Sequence, residues 1–149
     1  MTRLVVDCSV TMGWCFESEA DEYADAVLRA LRDGEAVVPA LWTLEVANVL
    51  LVAERRRRIG RADSDRFLRL LAALPIAMAE PFVLRHLDTL LPRAREFRLS
   101  AYDAAYLHVA IEQRLPLATR DRALRAAATA AGVAAFARGV AGLHARARR

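Results

Sequence analysis

Short apolar runs recur along this chain at intervals filled by helical patterning, and that alternation limits the fold more than any other feature. LVVD at 4–7, AVVP at 36–39, PIAMAE at 75–80, PLAT at 116–119 and VAAF at 133–136 each read as a brief buried strand. Between them apolar residues return every three or four positions. A helix is expected over 19–33, with Ala26, Val27, Ala30 and Leu31 on its inner face and Gly34 as its end. The next, over 41–57, is apolar on nearly every side through its first three turns and so should be substantially buried. Further helices are expected from a cap at Asp63 or Ser64 to Leu74, over 82–97, over 101–114 after Ser100, and from Asp121 to about 131. Strands separated by helices imply an α/β fold with a mostly parallel sheet covered on both faces. No internal repeat and no Pro/Gly/Ser linker divides the sequence, so 1–149 is read as a single domain with its core at about 4–136 and a frayed tail at 138–149.

Within that frame four acids stand out: Asp7, Glu45, Asp103 and Asp121, embedded in LVVDCSV, WTLEVANVLLVA, SAYDAAYLHVAI and PLATRDRAL. A carboxylate in apolar surroundings is costly unless compensated. Three have a plain alternative. Asp7 and Asp121 are placed to cap the helices that follow them, and Ser100-Ala-Tyr-Asp103 has the S-x-x-D form of a capping box. Glu45 has no such escape, lying about one turn inside an apolar helix between Leu44 and Val46. It needs a polar partner, a cleft with water, or an ion pair with some Arg.

In parallel α/β sheets ligands gather outside the C-terminal ends of the strands. Asp7 and Asp121 fall there, and Asp103 falls in a first helical turn. Carboxylates gathered within about 4–6 Å repel one another and take up protons unless a cation intervenes. An all-oxygen set suits Mg²⁺ or Mn²⁺, which can activate water and stabilise charge on phosphate. Ser9, Asn48 and Thr119 lie close in sequence to the acids and can orient a carboxylate or a water, or equally cap or pack.

Those four segments, in this order and spacing, resemble PIN-domain ribonucleases, and in size and wording the VapC-type toxins of toxin–antitoxin pairs. The resemblance runs from about Leu4 to Phe136. It implies a Rossmann-like three-layer α/β/α sandwich with a short, mostly parallel sheet. It also implies Mg²⁺- or Mn²⁺-dependent endoribonuclease activity that leaves a 5′-phosphate and a 3′-hydroxyl, with structured RNA as the target. By motif matching, Asp7, Glu45, Asp103 and Asp121 take the places of the family's metal-site acids, and Ser9, Asn48 and Thr119 those of its supporting polar residues. Homodimers and a small antitoxin that blocks the cleft are further implications.

Several other features bear on function. All the basic residues are Arg, the formal charge is +4, and the densest basic run is Arg55, Arg56, Arg57 and Arg58. That run can meet RNA phosphates or an acidic antitoxin segment, or simply be a solvated helix end suited to the C-terminal dipole. Trp14 and Trp42 can stack on bases, although such apolar settings favour core or dimer contacts. Cys8 and Cys15, the only two cysteines, are too few for a disulfide scaffold and fit a reducing cytoplasm. Cys8 has no nearby His to activate it, and His86, His108 and His144 receive no role. No run approaches the roughly 18 apolar residues of a membrane span. The absence of Lys removes both a P-loop and a response-regulator receiver, and Ser9 stands where a haloacid-dehalogenase phosphatase needs a second Asp. A housekeeping PIN-like nuclease and a non-enzymatic nucleic-acid-binding module are the remaining rivals.

Overall fold

The computed structural model describes residues 1–137, so the expected fraying of 138–149 and the position of His144 lie outside the described residues. β1 (Thr2–Val6) ends in three fully buried residues, Leu4, Val5 and Val6, as befits a strand covered on both faces. It pairs in parallel with β2 (Gly34–Val38) on one side and β4 (Leu117–Ala118) on the other, and β3 (Ile76–Met78) extends the sheet beyond β2. The order is β3-β2-β1-β4, all parallel. The chain therefore moves outward from β1 twice and then returns to its other side, which puts the point of reversal between β1 and β4. Val6 pairs with Ala118, and the Asp7 N–H donates to the Ala118 carbonyl at 3.0 Å, so both strands release the chain at one level.

The helices are α1 (Cys8–Cys15), α2 (Glu22–Ala30), α3 (Leu41–Arg55), α4 (Arg61–Ala73), α5 (Leu87–Phe97), α6 (Ala101–Gln113) and α7 (Arg122–Ala130). They cover the sheet in a three-layer α/β/α sandwich. Six residues of α6, from Ala104 to Leu107 with Val109 and Ala110, are buried, making it the helix most deeply set against β1 and β4. Among the described residues no helix is long and apolar enough to cross a membrane.

Several boundaries differ from the sequence expectation, each for a local reason. The expected helix over 19–33 is split. A 3₁₀ turn at Glu17–Glu19 comes first, and α2 starts later because Asp21 caps it by accepting the Ala24 N–H at 2.7 Å. Gly34 does not end that helix but begins β2, where a Cβ would strike the carbonyl oxygen of Ala30 at 2.7 Å as well as that of Thr2. Helix α4 begins at Arg61 rather than after Asp63, since Gly60 is the cap and Asp63 accepts its N–H at 2.9 Å. Ser64 is buried instead and donates to Glu54 at 2.6 Å, joining α4 to α3. The expected helix over 82–97 opens with a 3₁₀ turn, Leu84–His86, closed by the Val83 N–H donating to His86 Nδ1 at 2.8 Å. VAAF at 133–136 is not a strand. Only a single bridge, Leu117 to Ala135, forms, because β4 is two residues long and offers no ladder to extend.

Helix α3 departs furthest from expectation. Trp42, Val46, Leu50 and Ala53 are buried as one stripe, but Leu44 is 74% and Leu51 47% exposed. A helix laid on a sheet buries one face, and the other keeps its leucines in water.

Three helices end in a left-handed Arg where glycine is the usual choice. Arg57, Arg98 and Arg114 have φ of 56°, 53° and 54°, and the following N–H closes each turn on Ala53, Ala94 and Ala110. Among the described residues only α7 uses a glycine there, Gly132 at φ 77°. For an L-residue this conformation costs about 1–2 kcal/mol. Arg114 is exposed, and Arg114→Gly is expected to raise stability by about 1 kcal/mol, read as a higher urea midpoint with unchanged slope.

Candidate active site

Asp7 leaves β1 at the point where the strand order reverses, and it is 5% exposed. It occupies the cap position of α1 but makes no side-chain cap bond. Its Oδ2 instead accepts from Ser9 Oγ at 2.8 Å and from Thr119 Oγ1 at 2.7 Å. Each hydroxyl is in turn fixed by a backbone donor, Ser9 by the Arg120 N–H and Thr119 by the Asp121 N–H, both at 3.0 Å. With their acceptor sides engaged, the two hydroxyls direct their protons at one carboxylate oxygen. The capping explanation for Asp7 therefore fails, and Ser9 and Thr119 hold the carboxylate in place.

Glu45 projects from α3 and is half-buried. Its Oε1 accepts the Tyr106 hydroxyl at 2.7 Å, and among the described residues it makes no ion pair. Tyr106, fully buried on α6, is a neighbour that sequence reasoning missed. Its spacing places it three residues after Asp103 and hence on the same helical face, but does not disclose its bond to Glu45. Burial raises the Glu45 pKa above its ordinary value, the charges of Asp7 and Asp103 add to the rise, and the Tyr106 hydrogen bond opposes it.

Asp103 stands in the first turn of α6, where its N–H donates to Ser100 Oγ at 3.1 Å. Ser100 therefore caps this helix, which is one half of the expected capping box. Its carboxyl is also pushed up, first by burial, then by the charges of Asp7 and Asp121. Asp121 is exposed and does cap α7, accepting the Leu124 N–H at 2.8 Å. One residue thus serves both the expected cap and the shared field.

These repulsions connect all four acids: Glu45 with Asp7 and Asp103, and Asp103 with Asp7 and Asp121. Asp7 and Asp121 follow the ends of β1 and β4, and Glu45 and Asp103 both feel the Asp7 charge. Among the described residues no three of their kind are close enough, as they stand, to clasp one ion. Mg²⁺ and Mn²⁺ take one or two carboxylates and keep several waters, so they do not require a cage of three protein ligands. The oxygen-only donors and the mutual repulsion both fit a hard divalent cation.

The remaining candidates divide. Asn48 is exposed one turn along α3 from Glu45. Arg55, Arg56 and Arg57 are exposed, but Arg58 lies 4.9 Å over the Phe16 ring and donates to Ser18 at 3.1 Å, so its guanidinium is already engaged. Trp14 donates to the Ala24 carbonyl at 2.9 Å and Trp42 to Thr11 at 3.0 Å, which makes both structural rather than base platforms. Burial, with Glu45 and Asp7 adding, pushes the Cys8 thiol up to about 12, so it is no nucleophile at neutral pH. His108 faces α5, bound to Arg93 at 2.8 Å and packed on Phe82, away from the acids. Arg120 is a second contributor the sequence did not disclose. Its guanidinium bridges Glu19 and Asp21, pinning the loop whose N–H groups orient Ser9 and Thr119.

Compared with known families, residues 4–130 match the PIN domain. The chain belongs to the PIN domain family. PIN domains are typically nucleases, acting as hydrolases on nucleic acid, and they usually use divalent metal ions. The crystal structure of PAE2754 from Pyrobaculum aerophilum is similar, at 26% identity and a TM-score of 0.64 over 85% of this chain and 86% of that one. A domain of a functionally unknown protein from Methanocaldococcus jannaschii shares the fold, at 18% identity and a TM-score of 0.55, over 91% and 90% of the two chains. No curated protein matches the sequence. In this PIN domain Asp7 and Asp121 lie at the switch point between β1 and β4, joined through Thr119.

Proposed function

We propose that this PIN domain is a Mg²⁺- or Mn²⁺-dependent endoribonuclease and the toxin half of a VapC-type toxin–antitoxin pair, working in the cytoplasm. The observation that carries the catalytic reading is the Asp7 carboxylate, buried yet held by two hydroxyls, with its charge felt by Glu45 and Asp103 and no cation paired to it among the described residues. A structural role would call for a positive partner, and none is there among the described residues.

Asp7 and Asp103 would be the main ligands of the ion, with Glu45 and Asp121 completing the site directly or through water. When bound, the ion supplies an activated water and neutralises charge on the phosphate. The chain's own part is to keep the carboxylates fixed. Ser9 and Thr119 orient Asp7, and Tyr106 holds one oxygen of Glu45. Attack at phosphorus breaks the bond to the 3′ oxygen, leaving a 5′-phosphate and a 3′-hydroxyl.

The partners in this reading are structured RNA, a cognate antitoxin and a second copy of the chain. Exposed leucines on α3 (Leu44, Leu51) and on and just before α5 (Leu84, Leu87, Leu91) support a surface that a protein partner covers. The exposed Arg55, Arg56 and Arg57 support contact with phosphates or with an acidic antitoxin. Replacing these three by Gln is expected to weaken RNA or antitoxin binding and to reduce the salt slope of the affected partner by about 2–3. Unchanged affinity for both would mark the run as a solvated helix end.

The decisive test is controlled expression of wild type and Asp7→Asn, with and without the adjacent reading frame, followed by mapping of RNA ends. Growth arrest and new 5′-phosphate ends, lost in the variant and suppressed by the neighbour, are expected. Cleavage without toxicity would point to a housekeeping nuclease, and no cleavage would remove the enzyme assignment.

A further inference from the structure

The geometry points to Tyr106 as a positioning residue that fixes the Glu45 carboxylate for cation binding, an inference that rests on the metal-dependent reading above. Tyr106 is fully buried, so its ring has one setting and its hydroxyl one location. That hydroxyl reaches from α6 to α3 and donates to Glu45 Oε1 at 2.7 Å. Glu45 has three side-chain torsions and, on a helix face open to the cleft, would otherwise sample several rotamers. Holding Oε1 leaves Oε2 as the oxygen for a ligand.

The placement also couples two acids. Asp103 and Tyr106 lie three residues apart on α6, so one rigid helix carries its own carboxylate and the clamp for a second carboxylate on α3. Asp7 is restrained comparably by Ser9 and Thr119, and Asp121 by its cap bond to Leu124. Without Tyr106, the Glu45 carboxylate would have no described hydrogen bond. Groups that orient a ligand residue contribute about 10–100-fold to metal affinity.

A tyrosine that only fills the core would also want its hydroxyl bonded, so the test must separate packing from positioning. Mn²⁺ affinity is measured on the purified protein by calorimetry and by the loss of the free-ion resonance signal, for wild type, Tyr106→Phe, Glu45→Ala and the double variant. Tyr106→Phe is expected to bind Mn²⁺ at least about 10-fold more weakly, with RNA cleavage partly restored by raising Mn²⁺ and KM for RNA unchanged. In the Glu45→Ala background the same change is expected to have no further effect, because its action runs through Glu45. Equal losses in both backgrounds would overturn the inference and leave a packing role, as would wild-type affinity in Tyr106→Phe. If Tyr106→Phe proves poorly folded alone, the comparison of Glu45→Ala with the double variant still decides whether the hydroxyl acts independently of Glu45. Wild-type protein that binds no Mn²⁺ would overturn the metal reading as well, which distinguishes that failure from failure of the Tyr106 role alone.

Discussion

Asp7→Asn is expected to abolish RNA cleavage while leaving the fold intact, and Asp103→Asn to do the same. A cation-activated water and the neutralised phosphate together contribute several kcal/mol to the transition state, and about 4 kcal/mol corresponds to roughly a thousandfold in rate. Loss of a principal ligand should therefore lower turnover by at least about that factor. Stability is expected to hold, because Asn retains an oxygen that can accept from Ser9 and Thr119, and the variant removes a charge that repels Glu45 and Asp103. The checks are a cleavage assay on total RNA and a thermal melt of the same preparations. Full activity in both variants would remove the assignment of these residues to the reaction.

The second large effect is a divalent-ion-linked rise in melting temperature that depends on pH. Glu45 and Asp103 have native pKa values above their ordinary 4.5 and 3.8, chiefly from burial and then from neighbouring acids. Below those ordinary values both groups are protonated whether folded or not, and the native state loses nothing. As pH rises, the unfolded chain ionises first, and the native state must follow at a cost, so stability falls through the raised native values. The gap between Glu45→Gln and metal-free wild type isolates this term: near zero at about pH 4 and widening toward neutrality in favour of the variant. Mn²⁺ at 100 times its Kd should return about 2.7 kcal/mol at neutral pH, or roughly 5–10 °C for a chain of this size. It should return much less at acidic pH, where protons compete for the same oxygens. A melting temperature indifferent to Mg²⁺ and Mn²⁺ at pH 7 would remove the metal-site assignment of these acids.

Much of this was legible in the linear sequence. The apolar runs at 4–7, 36–39, 75–80 and 116–119 appear as β1 to β4, since buried parallel strands advertise themselves by continuous hydrophobicity. The run at 133–136 looked the same and formed one bridge, because strand formation needs a partner of matching length and β4 has two residues. Glu45 was conspicuous for lying in an apolar helix, but its partner was not, since a tyrosine 61 residues away in sequence gives no local sign of where its hydroxyl will point. Likewise α3 looked substantially buried, yet which face meets the sheet is settled by how the helix docks.

The residue order alone determined the alternation of strand and helix, the four acids and their hydroxyl companions, and with them membership of the PIN domain family. Tertiary structure alone decided that Asp7 serves no cap while Asp121 does, that Tyr106 holds Glu45, and that Arg58 and both tryptophans are occupied elsewhere. The reason is one of range. Propensity and periodicity act over a few residues, whereas repulsion between carboxylates and the aim of a hydroxyl depend on distances that exist only once β1 and β4 lie side by side.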